Sequence, residues 1–191
     1  MYKIAKISFF ESLNLYTIYK NFINKKLIQD LTTLRFIDEK KNVIFVGTSG
    51  VGKTHLATAL GIEAAKKRNS VYFISCHDLI NNLLTAYKEN KVERRIKNYL
   101  KYKLLIIDEI GYLPIDKIGS NLFFQLISKR YENKSTIITT NQTFDKWSEV
   151  FGDATVANAI LDRLLHHAEI VNIIGNSYRT KNITEKMKNN E

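Results

Sequence analysis

Apolar and polar positions change their period at regular intervals along this chain. Short apolar runs, Val43-Ile44-Phe45-Val46, Leu104-Leu105-Ile106-Ile107 and Ile137-Ile138, alternate with longer stretches whose apolar residues recur every three or four positions. Runs of the first kind read as strands and stretches of the second kind as helices. The pattern predicts strands at 42–46, 71–75, 104–108, 135–140 and 169–174. Helices are expected near 53–67, 77–100 (broken around Asn90), 118–132 and 153–166, with a short turn near 144–151. Strands alternating with helices imply an α/β fold with a parallel sheet and crossover helices. The runs at 104–108 and 135–140 suit central strands covered on both faces. Residues 1–41 read as a mixed lead-in, with helical spacing through Leu13, Tyr16, Ile23 and Leu27 to Leu34. The main domain is expected to span 42–175, leaving 176–191 as a short tail, too short for a separate helical lid.

The first strand runs into Gly47-Thr48-Ser49-Gly50-Val51-Gly52-Lys53-Thr54, and a helical stretch follows from His55 to Lys67. This matches the phosphate-binding P-loop at every fixed position, in the strand–loop–helix setting the motif requires. Glycines let successive backbone N–H groups turn inward toward phosphate oxygens, and the helix adds its positive dipole end. Lys53 is expected to reach the β- and γ-phosphates of ATP and Thr54 to ligate Mg2+.

Leu104 to Ile107 ends in Asp108-Glu109, the Walker B pattern of an apolar strand closing on two acids. Asp108 is expected beside the P-loop, holding magnesium through water, with Glu109 one step further as general base for the attacking water. Ile137-Ile138-Thr139-Thr140-Asn141 is a strand ending in an amide that can orient that water, or can simply begin a turn. The alternating pattern, with both Asp108 and Asn141 placed next to the loop, predicts a five-stranded parallel sheet of order 5-1-4-3-2. On the amphipathic stretch from Asp153 to His167, Arg163 can serve as an arginine finger toward a neighbouring subunit, or pair with Asp162 or Glu169. His166 and His167 have no further ligand at metal-binding spacing and read as helix C-terminal residues favoured by the dipole.

Charge adds a partner class. The 191 residues carry 29 Lys plus Arg against 19 Asp plus Glu, a formal charge of +10. Such an excess suits a polyanion such as nucleic acid, or serves solubility. Lys88, Lys91, Arg94, Arg95, Lys97, Lys101 and Lys103 crowd one stretch with Tyr87, Tyr99 and Tyr102 interleaved. This is either a nucleic-acid surface, with Arg94, Arg95 and Lys97 as its centre, or a solvated helix face. A single cysteine, Cys76, excludes an internal disulfide and agrees with a reducing cytoplasm. No apolar run approaches the ~18 residues of a spanning helix, so no membrane partner is expected.

The ordered motifs resemble one family. Gly47-Thr48-Ser49-Gly50-Val51-Gly52-Lys53-Thr54-His55-Leu56-Ala57, Leu105 to Tyr112 and Phe124 to Glu132 are similar to the IstB/DnaC group of AAA+ ATPases. Ser135 to Asn141, Asp162-Arg163-Leu164-Leu165-His166-His167 and Ser177-Tyr178-Arg179 resemble IstB more narrowly. The resemblance covers roughly Phe9 to Lys181. It implies an AAA+ P-loop fold in which His55 continues the nucleotide site and Asn141 is the residue termed sensor 1. It also implies that Arg163 is a finger acting in trans and Arg179 a second nucleotide-sensing arginine. ATP would drive self-assembly on DNA, and the assembly would direct the transposase of the same insertion element to its target. Such proteins carry an additional N-terminal domain before the segment that Lys6 to Leu15 resembles, so contacts made by that domain are not assigned to this chain. A replicative helicase loader of the DnaC type, with ATP as a timing switch, is the alternative. Guanine specificity is disfavoured because no N-K-x-D motif occurs, and a small-molecule kinase of this size needs a substrate lid.

Overall fold

The computed structural model describes residues 25–175 and 177. Leu13, Tyr16 and Ile23 of the lead-in, and Arg179, lie outside them. Five strands form one parallel sheet: β1 (Asn42–Gly47), β2 (Val71–Ser75), β3 (Leu104–Ile110), β4 (Ser135–Thr140) and β5 (Ala168–Ile173). Their order is β2-β3-β4-β1-β5, which is 5-1-4-3-2 read from the other edge, as the sequence predicts. The helices are α1 (Lys25–Thr32), α2 (Arg35–Asp38), α3 (Lys53–Lys66), α4 (Cys76–Lys88), α5 (Val92–Leu100), α6 (Lys117–Arg130), α7 (Trp147–Phe151) and α8 (Ala154–Leu165).

The two-residue period of the strands sorts their apolar side chains into two cores. Val43, Phe45, Leu104, Ile106, Ile137 and Val171 pack with α1, α2 and α3 on one face. Ile44, Ile74, Leu105, Ile107 and Ile138 pack with α4 to α8 on the other. Both faces are dry, which is why the central runs are continuously apolar rather than alternating. Short polar side chains start the helices. Ser75 Oγ accepts from the Asp78 amide at 3.0 Å, Asp116 Oδ1 from Gly119 at 2.8 Å, and Asp153 Oδ1 from Thr155 at 2.8 Å. The expected break near Asn90 separates α4 from α5, with Asn90 in the left-handed region at φ 54°.

Besides shifts of one or two residues at several element ends, two differences from the sequence reading have a clear physical cause. The expected turn near 144–151 contains a 3-10 turn and the short helix α7, because Trp147 and Phe151 both bury completely against the α6–α8 layer. Strand β3 continues past Asp108 to Ile110, since Ile110 regains pairing with Thr140 after a bulge.

Buried polar groups tie the amino ends of the strands together. Arg130, 1% exposed, donates four hydrogen bonds, to Thr136 Oγ1 and to the carbonyls of Tyr99, Tyr102 and Ser135. Burial pulls its guanidinium down to about 9, so it keeps its charge at neutral pH. Asn42 donates from Nδ2 to the Leu164 carbonyl at 3.1 Å and accepts the Thr136 amide on Oδ1 at 3.0 Å. With this edge fixed, the carboxyl ends of β1, β3 and β4 lie side by side, where ligands bind in open α/β sheets.

Candidate nucleotide site

The P-loop turns tightly between β1 and α3. Gly52 sits at φ 93° immediately before the helix, a conformation that side-chain-bearing residues rarely adopt. At Gly47 a Cβ would stand 2.3 Å from the Ile173 carbonyl oxygen, so the close approach of β5 also demands glycine. Lys53 Nζ donates to the carbonyls of Gly47 and Thr48, both at 2.7 Å, folding the cation back over its own loop. Thr48 and Ser49 are exposed along the loop, Val51 is buried beneath it, and Thr48 Oγ1 approaches the Gly175 carbonyl at 3.5 Å. His55 is half-buried one residue after Thr54. Burial lowers its ring below the usual histidine range, and its Nε2 is shielded without a hydrogen-bond partner among the described residues.

Asp108 and Thr54, expected to share one metal, come together: Thr54 Oγ1 donates to Asp108 Oδ1 at 3.0 Å. Asp108 is buried at the carboxyl end of β3, whereas Glu109 is exposed. Glu109 is the bulged residue and sits at φ 64°, which costs a non-glycine residue about 1–3 kcal/mol. Thr139 holds that geometry from the neighbouring strand. Its hydroxyl, on a fully buried residue, donates to Asp108 Oδ1 at 2.5 Å and accepts the Glu109 amide at 2.9 Å. One side chain therefore fixes both acids. Sequence reasoning passed over Thr139 because a β-branched residue in Ile137-Ile138-Thr139-Thr140 reads as ordinary strand. The available signal was a hydroxyl in a doubly covered strand, which needs a buried partner.

Asn141 follows β4 directly and is exposed at the same sheet edge. Arg163 lies on α8, half-buried. It donates to the Ala159 carbonyl at 3.1 Å, and its guanidinium carbon stands 4.6 Å from the Phe124 ring centroid. The sequence allowed a salt bridge to Asp162 or Glu169; among the described residues the guanidinium instead meets the Ala159 carbonyl and the Phe124 ring. The basic stretch divides into two. Lys97 pairs with Glu93 at 3.1 Å, while Arg94 and Arg95 line a groove of about 280 Å³ with Lys91, Asn98 and Glu89. Positions 91, 94, 95 and 98 share one face of α5 by helical spacing, and Lys97 is off it. No helix among the described residues is long and apolar enough to cross a membrane.

Comparisons with known proteins agree with this geometry. A relative named as the ATP-binding protein of insertion sequence IS232, from Bacillus thuringiensis subsp. berliner, is 63% identical over 159 residues, covering 83% of this chain and 64% of its own length. The chain thus spans somewhat less than two thirds of that relative. Among solved structures, AMPPCP-bound DnaA from Aquifex aeolicus superposes with a TM-score of 0.65 at 26% identity, covering 90% of this chain and 54% of that one. The DnaC helicase loader superposes with a TM-score of 0.57 at 30% identity, covering 84% and 86%. These are AAA+ P-loop domains, and this sheet has their architecture. The family model described as IstB-like ATP binding protein matches residues 1–186, and with its loop, acids and sheet order in place, this chain belongs to that family.

Proposed function

We propose that this chain binds ATP with magnesium and hydrolyses it, and that it does so as a DNA-bound assembly assisting the transposase of an insertion sequence. One observation carries the hydrolytic reading: Thr139 fixes buried Asp108 and exposed Glu109 together, with Thr54 hydrogen-bonded to the same Asp108 oxygen. Thr54 and Asp108 are the residues that would hold Mg2+, which when bound would neutralise phosphate charge. Their oxygen donors and 3.0 Å approach suit a hard cation. Lys53 exchanges the Gly47 and Thr48 carbonyls for β- and γ-phosphate oxygens, and the loop amides from Thr48 to Thr54, with His55 behind them, line the nucleotide. Glu109 takes the proton of the attacking water, and Asn141 orients that water. Arg163 leaves Phe124 and Ala159 to reach the nucleotide of a neighbouring copy, stabilising charge on the transferred phosphoryl group. Arg179, as the resemblance implies, is a second arginine that senses the nucleotide.

Relatives named for insertion sequences support the transposition role, and the groove of Lys91, Arg94 and Arg95 supports DNA as the scaffold. Lys97 is a weaker candidate for phosphate contact than the sequence suggests, being paired with Glu93. Replacing Arg94 and Arg95 with Ala should weaken ATP-dependent DNA binding and reduce its salt slope by roughly 0.9 per lost phosphate contact. Unchanged DNA affinity at every salt concentration would reduce this stretch to a solvated helix face. The similarity to the DnaC loader favours a second reading, in which the partner is a replicative helicase. Binding assays with the element's transposase and with the host helicase distinguish the two.

A further inference from the structure

The sheet edge opposite the P-loop gathers three metal-ligating side chains that the nucleotide site does not use. Glu132 lies in the turn between α6 and β4, and His166 and His167 lie in the turn between α8 and β5. Strands β4 and β5 flank β1, so the two turns meet across its start. One ligand atom from each of Glu132, His166 and His167 falls within 4.8 Å of the others. His167 Nε2 stands 3.8 Å from Glu132 Oε1, and the two imidazole centroids are 4.0 Å apart. Sequence spacing hides this cluster, because the carboxylate comes from a distant turn.

We propose that Glu132, His166 and His167 form a binding site for a borderline divalent cation, with Zn2+ the best match. Two imidazoles and one carboxylate are the donor set such ions take, with a fourth position left to water. An all-oxygen set would suit magnesium or calcium, and a thiolate would favour softer ions; the single cysteine, Cys76, is buried elsewhere.

The ligands stand on fixed backbone. The Asn42 amide donates to the His167 carbonyl at 2.7 Å, and the Asn42 side chain spans from Leu164 on α8 to Thr136 on β4. That one buried residue ties the turn carrying both histidines and the end of α8 to the start of β4, just after the turn carrying Glu132. Tyr131 Oη lies 2.6 Å from His166 Nδ1, the kind of outer contact that sets a ligating ring's orientation. Glu132 occupies φ 56°, in the left-handed region that a glycine would fill without strain. Tetrahedral zinc ligands sit about 3.4 Å apart, so closure requires movements of about an ångström. All three side chains are exposed and can make that adjustment. A bound ion would cross-link α8, which carries Arg163, to the turn preceding β4.

The test is calorimetric titration of the full chain with ZnCl2 in excess Mg2+, paired with Co2+ titration to read the visible bands of tetrahedral coordination. One Zn2+ per chain is expected, with Co2+ bands that Zn2+ abolishes. Glu132→Gln and His167→Asn should each weaken Zn2+ affinity at least about tenfold. The exposed histidine control His77→Gln should leave it unchanged. Metal-free thermal melts establish that each variant is folded. Absence of stoichiometric uptake by the parent chain, or equal affinity in parent and folded Glu132 and His167 variants, overturns the site and leaves only a hydrogen-bonded surface cluster.

Discussion

Replacing Thr139 with valine is the sharpest probe of how the acids are held. The substitution keeps the branched shape and removes one oxygen. That oxygen donates to Asp108 Oδ1 and accepts the Glu109 amide, on a residue with no solvent exposure. A hydrogen bond to a carboxylate contributes about 1.5–3 kcal/mol and a neutral one about 1 kcal/mol, so the loss of stability should be about 2.5–4 kcal/mol. Asp108 keeps Thr54, at 3.0 Å, and the P-loop itself is untouched, so ATP affinity should change little. Catalysis should suffer far more. Glu109 is held at φ 64°, and without its amide anchor the bulge can relax toward ordinary strand geometry, moving the carboxylate. A displacement of about an ångström at a catalytic group costs up to roughly a hundredfold in rate. Fluorescent-nucleotide binding and single-turnover phosphate release measure the two quantities separately. Thr139→Ser, which keeps the hydroxyl, should restore most of the rate. A folded Thr139→Val chain that binds and hydrolyses ATP like its parent would refute the positioning role.

Two further perturbations test the scaffold. Arg130→Met leaves the carbonyls of Tyr99, Tyr102 and Ser135 without this donor, and at about 1–3 kcal/mol for each unpaired buried acceptor urea unfolding should show a loss of at least about 3 kcal/mol. A loss below about 1 kcal/mol would mean the guanidinium contributes nothing beyond its bulk. Burial pushes the Cys76 thiol up to about 12 from an ordinary 9.0, so the folded state disfavours the thiolate. That contribution to stability is full below about pH 9 and disappears as pH rises toward 12. Thiolate absorbance across that window should appear in denaturant and be absent from the folded chain; equal absorbance in both would contradict the burial.

Much of this was legible in the sequence because the relevant signals are local. The strands declared themselves as apolar runs, and the P-loop as a spacing with its strand and helix in place. Sheet order rested on the strand–helix alternation together with one chemical demand, that Asp108 and Asn141 stand beside the loop. What the sequence hid depends on side chains meeting across elements. The bulge at Glu109 is set by Thr139 on another strand. Phe124 on α6 captures the Arg163 guanidinium, where the sequence offered a finger toward a neighbour or a pair with Asp162 or Glu169. Glu132 reaches His167 only because β4 and β5 flank β1. Among the described residues Arg130 has no carboxylate partner; its buried partners are Thr136 Oγ1 and three carbonyls, which leave no trace in the sequence around it.

Glu109 is the proposed base that turns a nucleotide-binding loop into a hydrolase, and single-turnover hydrolysis by Glu109→Gln beside the parent chain isolates that role. Glutamine keeps size and polarity but cannot accept the water's proton. ATP binding should be unchanged and phosphate release slowed by at least about a hundredfold. Release at the parent rate, with ATP bound equally well, would contradict that role.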